Sequence, residues 1–225
     1  MKKIGLVVAI ERELVALLES GKIDYTVLEE QPFSIFRFIY DDNEVFVAHS
    51  SAGQIDAALA TQLLIIKYGA ELILNYGVVG ALSPKLKVGD LLAVTKTVKH
   101  DLDFSFEGVP LGQYDDMQDR FFYPSEGIIG LCEKDNITPA VLASGDQFID
   151  GYNAKKRLAD MFGADICDME GAAIARTCYR YNIPWFSVKC ISDSLDGGAV
   201  LEFGKYVTEC GNRAFKYLLD LIGKL

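Results

Sequence analysis

Short apolar runs rich in Val, Ile and Leu alternate along this chain with longer stretches of helical period. That alternation restricts the available folds more than any other feature. Residues 3–10, 72–76, 90–98, 140–144 and 185–191 read as buried strands. Residues 11–19, 55–68, 124–132, 153–162, 171–181 and 201–222 read as helices between them. In the stretch 55–68, Ile55, Ala58, Leu59, Leu63 and Ile66 fall near a 3.6-residue period. Residues 33–40 and 44–50 form a hairpin pattern around the turn-forming Asp41-Asp42-Asn43. Strands that alternate with helices imply a parallel or mixed sheet covered on its faces by helices. No repeat, low-complexity tract or Pro/Ser-rich linker interrupts the pattern, so residues 1–225 are expected to form one domain.

Charge narrows the partners. The chain carries 32 acidic against 22 basic residues, a formal net charge of −10. An acidic chain repels phosphate backbones and anionic lipid, which argues against nucleic-acid or membrane-surface binding and suits a small neutral or cationic ligand. The five cysteines, Cys132, Cys167, Cys178, Cys190 and Cys210, have no short paired spacing, as expected of buried thiols in a reducing cytoplasm. Met1-Lys2-Lys3 followed by apolar residues has the outline of a secretory leader. Glu11-Arg12-Glu13 breaks the run at once and no small-residue cleavage site follows, so the stretch reads as a buried strand. No apolar run approaches membrane-spanning length.

Acidic and polar residues gather just after the predicted strands, where open α/β sheets collect ligands. Glu13 follows the first strand, Gly77-Val78 the strand ending at Tyr76, and Ser144-Gly145-Asp146-Gln147-Phe148-Ile149 the strand ending at Ser144. Ser192-Asp193 follows residues 185–191, and Asp168-Met169-Glu170-Gly171-Ala172-Ala173-Ile174-Ala175 opens a small-residue helix. Acids at the ends of buried elements suit a site that grips hydroxyls and moves protons. Each has a plainer reading: Glu13 and Glu170 as first-turn carboxylates, Asp193 as a turn cap, Phe148 and Phe203 as core residues. His49 and His100 stand alone in the sequence and are expected to be structural.

Taken in order, Ala9-Ile10-Glu11-Arg12-Glu13, Asn75-Tyr76-Gly77, Leu86-Lys87-Val88-Gly89-Asp90 and the three motifs ending at Ile149, Ala175 and Asp193 resemble the bacterial methylthioadenosine/S-adenosylhomocysteine nucleosidases. These belong to the nucleoside phosphorylase and nucleosidase superfamily. The resemblance covers nearly the whole chain. It implies an α/β three-layer sandwich with a twisted mixed central β-sheet flanked by helices, a homodimer, and hydrolysis of the N-glycosidic bond of an adenine nucleoside. By the same resemblance Glu13 is the base for the attacking water and Asp193 the acid for purine N7. Glu170 holds the ribose hydroxyls with Met169 beside the sugar, and Phe148 stacks on the base. Ile149 reads the adenine edge, Ser192 orients Asp193, and Phe203 helps close the pocket. Asp168 is expected to lie behind these groups. None of these roles needs a metal or cofactor, and no His/Cys/Asp cluster offers metal ligands.

The chemistry fits these residue types. Breaking an N-glycosidic bond builds positive charge on the sugar while electrons flow into the purine. An acid that protonates the departing base makes it a better leaving group. A base on the opposite face activates water, as in inverting glycosidases.

Two positions depart from the family. Val78 replaces a serine that contacts the sugar and its water or phosphate, so contacts there must differ. Lys189 replaces an arginine common in the family, keeping the charge but losing its bidentate fork. From Phe104 to Tyr123, where the family builds its pocket for the 5′ substituent, similarity fades. A phosphorylase needs a cationic cradle for phosphate. Here Arg12 is flanked by two acids, Glu11 and Glu13, and Val78 lies at the glycine turn; Glu13 would repel a phosphate and activate water, which favours hydrolysis. A phosphate-dependent phosphorylase and a catalytically silent nucleoside-binding protein are the alternatives. The aromatic segment 101–123 and the apolar helix from Ile55 are candidate dimer surfaces.

Overall fold

In chain order the elements are β1 (Lys3–Val8), α1 (Glu11–Glu19), β2 (Tyr25–Glu29), β3 (Ser34–Tyr40), β4 (Asn43–His49), α2 (Gln54–Ile66), β5 (Leu72–Ala81) and β6 (Leu91–Lys99). They continue with β7 (Phe121–Phe122), α3 (Glu126–Lys134), β8 (Thr138–Ser144), α4 (Tyr152–Phe162), β9 (Ile166–Asp168), α5 (Gly171–Tyr181), β10 (Trp185–Asp193) and α6 (Ala199–Ile222). The computed structural model describes residues 1–19, 23–196 and 198–225. No helix among them is long and apolar enough to cross a membrane.

The sheet is buried on both faces because successive side chains of a strand point to opposite sides. On β1, Ile4, Leu6 and Val8 join a core completed by Leu14 and Leu17 of α1 and by Phe215, Leu218 and Leu221 of α6. Val7 points the other way, into a core with Ala57, Ala60 and Leu64 of α2 and Ile174 and Cys178 of α5. Helices therefore cover both faces of a mixed sheet, the expected three-layer arrangement. The β3–β4 hairpin pairs Tyr40 with Asn43 across Asp41 and Asp42. Those two residues have φ of 43° and 61°, the left-handed pair that a two-residue hairpin matched to strand twist requires.

The sheet order is β10-β6-β8-β9-β5-β1-β4-β3-β2, and β10 also pairs with β5. Strands β5, β10, β6, β8 and β9 thus close into a ring at one end of an otherwise open sheet. The closure depends on β5. One edge pairs with β10 from Ile73 to Gly80. The other pairs with β1 from Leu72 to Asn75 and with β9 at Gly80 and Ala81. Between those two partners the edge at Tyr76–Val79 has no strand neighbour, and the sheet opens there.

The sequence reading ends this strand at Tyr76, whereas β5 runs on through Gly77 and Gly80 to Ala81. Glycines inside a strand often mark a close approach of other groups. A Cβ on Gly77 would stand 2.5 Å from Glu13 Oε1, and one on Gly80 would stand 2.9 Å from Asp193 Oδ2. Each glycine makes room for one carboxylate. Strands β2, β7 and β9 are absent from the sequence reading. Strand β9 is only three residues long and gains its partners, β5 and β8, entirely through tertiary pairing. The segment 101–123, read as an unpatterned loop, contains a short 3₁₀ turn at Ser105–Glu107 and ends in β7.

Candidate active site

The opening in the sheet is walled by residues from seven separate stretches of chain, one of them Ala52 between β4 and α2. Glu13 comes from the first turn of α1, Val78 from β5, and Phe148 and Ile149 from the turn after β8. Met169 and Glu170 come from the β9–α5 junction, Ser192 and Asp193 from the end of β10, and Phe203 from α6. Every site residue singled out in the sequence therefore borders one cavity, while His49 and His100 do not.

Glu13 is buried, with 3% of its surface exposed. Its Oε1 accepts the Val78 N–H at 2.8 Å and its Oε2 the Ile10 N–H at 3.2 Å. The Val78 position thus supports the carboxylate through its backbone N–H, which any residue but proline supplies, so the loss of a serine hydroxyl leaves this contact intact. The Tyr76 hydroxyl donates to the Glu13 carbonyl at 2.8 Å and fixes the helix turn itself. Burial raises the Glu13 pKa, and Lys189 and the two N–H groups only partly oppose it. The ionised form is a stronger base for that reason.

Asp193 ends β10 and is also buried. The Ser192 hydroxyl donates to its Oδ1 at 2.9 Å, and the Lys155 ammonium donates to its Oδ2 at 2.6 Å. Lys155 was not picked out from the sequence. Its position held a signal, because Lys155, Leu158 and Phe162 share the buried face of α4 at helical spacing.

Asp168 was expected behind the binding groups but reaches the cavity wall. Its carboxylate is occupied with structure: Lys189 Nζ lies 2.8 Å from Oδ2, and the Gly171 N–H donates to Oδ1 at 3.1 Å. Burial disfavours ionising either member of this pair, yet the attraction between them prevails. The Asp168 pKa is lowered and that of Lys189 raised. Lys189 also faces Glu170 and Glu13, so one ammonium balances three acids.

Glu170 stands at the N-cap position of α5 without a side-chain capping bond, and its Oε1 accepts the Gly53 N–H at 2.9 Å. Burial first, and then the charge of Asp168, push its pKa up to about 8 against an ordinary value of 4.5. This has a sign that stability can test. Between those two values the unfolded chain has released the proton that the folded chain still holds. The contribution is full below pH 4.5 and is lost as pH rises through about 8. The melting temperature of the ligand-free protein should fall more across that window than that of a Glu170→Gln variant, which has no proton to lose. Parallel pH dependences would refute the raised carboxyl.

At the mouth of the cavity Phe148 and Phe203 meet edge to face, with centroids 5.7 Å apart. Arg12 lies over the Phe203 ring at 5.4 Å and donates to the Gly204 carbonyl at 3.3 Å. No lysine or arginine is among the described residues that line the cavity.

A family model described as the phosphorylase superfamily matches residues 3–223. The chain belongs to that superfamily. Within it, the chain is similar to an aminodeoxyfutalosine nucleosidase of Campylobacter jejuni, at 32% identity over the full length of both chains. It is 30% identical to a 5′-methylthioadenosine/S-adenosylhomocysteine nucleosidase of Staphylococcus carnosus, over 99% of this chain and 100% of that relative. Among solved structures, an aspartate-to-asparagine variant of a Helicobacter pylori nucleosidase with 5′-methylthioadenosine in its active site superposes with a TM-score of 0.92. The two are 28% identical and all of both chains is covered.

Proposed function

We propose that this protein hydrolyses the N-glycosidic bond of an adenine nucleoside, releasing adenine and the 5′-substituted ribose. The observation that carries the reading is the pair Glu13 and Asp193, which come from different elements and border one cavity with no lysine or arginine among its described lining residues. In this reading Asp193 gives its proton to purine N7 as the C1′–N9 bond breaks, and that bond's electron pair moves into the purine ring. Water adds to C1′ and loses a proton to Glu13. Glu170 holds the ribose hydroxyls with Met169 against the sugar, and its hydrogen bonds strengthen as the ring becomes electron-poor. Phe148 stacks on the base, Ile149 meets its edge, and Phe203 covers the mouth. Ser192 steadies Asp193, while Val78 lines the cavity and gives its backbone N–H to Glu13.

Phosphorolysis is disfavoured because the nearby cations are already engaged. Lys155 is bound to Asp193, Lys189 to Asp168, and Arg12 to the Gly204 carbonyl. Incubation with methylthioadenosine in phosphate-free buffer should release free adenine. Release that requires added phosphate would support a phosphorylase, and binding without release in either buffer would support a silent nucleoside-binding protein. The names of the relatives give two readings of the substrate, a methylthioadenosine or S-adenosylhomocysteine type and an aminodeoxyfutalosine type. Comparing kcat/KM for the three compounds separates them.

The chain, residues 1–225, acts in this reading as one catalytic domain and as a homodimer. Helix α2 buries Ala57, Ala60 and Leu64 but leaves Ile55 74%, Leu59 50% and Ile66 63% exposed. A helix apolar on all sides calls for a cover on its outer face. Sedimentation should give twice the monomer mass, and Ile55→Asp with Leu59→Asp should give a monomer. A wild-type monomer would exclude the dimer. Free buried thiols and a small nucleoside substrate fit a cytoplasmic setting.

A further inference from the structure

We propose that Lys155 is a positioning residue for the proton donor: its ammonium holds Asp193 in place and receives the negative charge left on that carboxylate when the purine departs. The inference rests on the nucleosidase reading above.

Lys155 is 0% exposed, and its Nζ lies 2.6 Å from Asp193 Oδ2 and 2.6 Å from the Ser194 carbonyl. One ammonium therefore ties the acid to the backbone that follows it. The Ser192 hydroxyl holds the opposite oxygen at 2.9 Å, and Gly80 leaves only enough space for Oδ2 on a third side. The carboxyl has little freedom to turn away from the cavity.

A lysine is costly at this position. It shares the buried face of α4 with Leu158 and Phe162, where an apolar side chain of similar length would pack without losing hydration. The second buried cation, Lys189, answers Asp168, Glu170 and Glu13 on the sugar and water side. Lys155 serves the base side separately. The carboxylates of the site are thus divided between two ammonium groups, one beside each half of the reaction.

The step balances without a further reagent. The Asp193 O–H bond breaks and an N7–H bond forms while the C1′–N9 pair moves into the purine. Asp193 becomes a carboxylate against an ammonium already in place, so the new charge is met without reorganisation. Lys155 keeps its own protons. Water supplies hydroxide to C1′ and a proton to Glu13; solvent then takes that proton from Glu13 and returns one to Asp193.

The test uses Lys155→Met, alone and combined with Asp193→Asn, with two substrates. Methylthioadenosine needs a protonated leaving group, whereas a 4-nitrophenyl riboside loses an anion that needs no proton. Lys155→Met should lower kcat on methylthioadenosine by about 100-fold, in the range of general-acid effects, with KM little changed. It should leave turnover of the nitrophenyl riboside near the wild-type rate. In the Asp193→Asn background it should add no further loss, because both changes remove the same function. Equal losses on both substrates, or a loss that adds to that of Asp193→Asn, would make Lys155 a structural residue and overturn the proposal. Should Lys155→Met fail to fold, Lys155→Gln, which keeps a donor without the charge, is read by the same comparisons. An active wild type matched by its Lys155 variants overturns this inference alone. A wild type that releases no adenine overturns the nucleosidase reading as well.

Discussion

Asp193→Asn is expected to cut the rate of adenine release by about 10²- to 10⁴-fold, the usual worth of a positioned general acid. An adenosine analogue should still bind. Asparagine has nearly the shape of aspartate, and its carbonyl oxygen can accept from Lys155 or Ser192, so the cavity keeps its outline. What it cannot do is carry an acidic proton to N7. The effect should therefore appear in kcat, with affinity measured by calorimetry little altered. A variant that released adenine at the wild-type rate would mean that another group protonates the base. A variant that lost both turnover and binding would show that Asp193 holds the ligand as well.

The second large effect concerns stability. Lys189→Met should destabilise the protein by about 3–5 kcal/mol, the cost of breaking a buried ion pair by removing one partner. The pair is closed to water, with side-chain exposures of 2% and 1%. Its loss also leaves Glu13, Asp168 and Glu170 without their shared counter-charge. The sign with pH follows from Asp168, whose pKa is lowered in the fold. Its stabilisation is present above the carboxylate's ordinary value of 3.8 and is lost as pH falls through the lower folded value. Urea unfolding at neutral pH should show the full deficit, and acidification should narrow the gap to wild type. Adding Asp168→Asn to Lys189→Met should recover part of it by removing the unpaired charge. A Lys189→Met variant as stable as wild type would show that the acids find another way to shed their charge, by protonation or by hydration.

Much of this site is legible before any coordinates. Glu13 and Asp193 stand out because each follows a strand-like run, and strands in a layered sheet deliver their ends to a common edge; Glu170 stands out in the acidic motif that opens a small-residue helix. Helices α1 and α5 begin and end where their periodicity and flanking residues place them. The misses share a physical cause. Strand β9 has too few residues for a period, and β5 looks finished at Gly77 because glycine weakens a strand locally. The reason for those glycines, space for Glu13 and Asp193, lies in side chains far away in sequence. Asp168, expected behind the binding groups, lines the cavity instead. Its place on the wall follows from β9 pairing with both β5 and β8.

The sequence by itself determined the layered α/β plan and the placing of Glu13, Glu170 and Asp193 at the ends of its elements, where they border one cavity. Those properties are carried by local period and by residue type, which a linear reading preserves. Only the tertiary structure decided which cation answers which acid. In the sequence, neither Lys155 on its helix nor Lys189 on its strand shows which acid it answers. They lie 38 and 21 residues from the acids they pair with, Asp193 and Asp168 (193 − 155 and 189 − 168). Electrostatic pairing in a closed site depends on distance in space and on the removal of water, and neither is written in the order of residues.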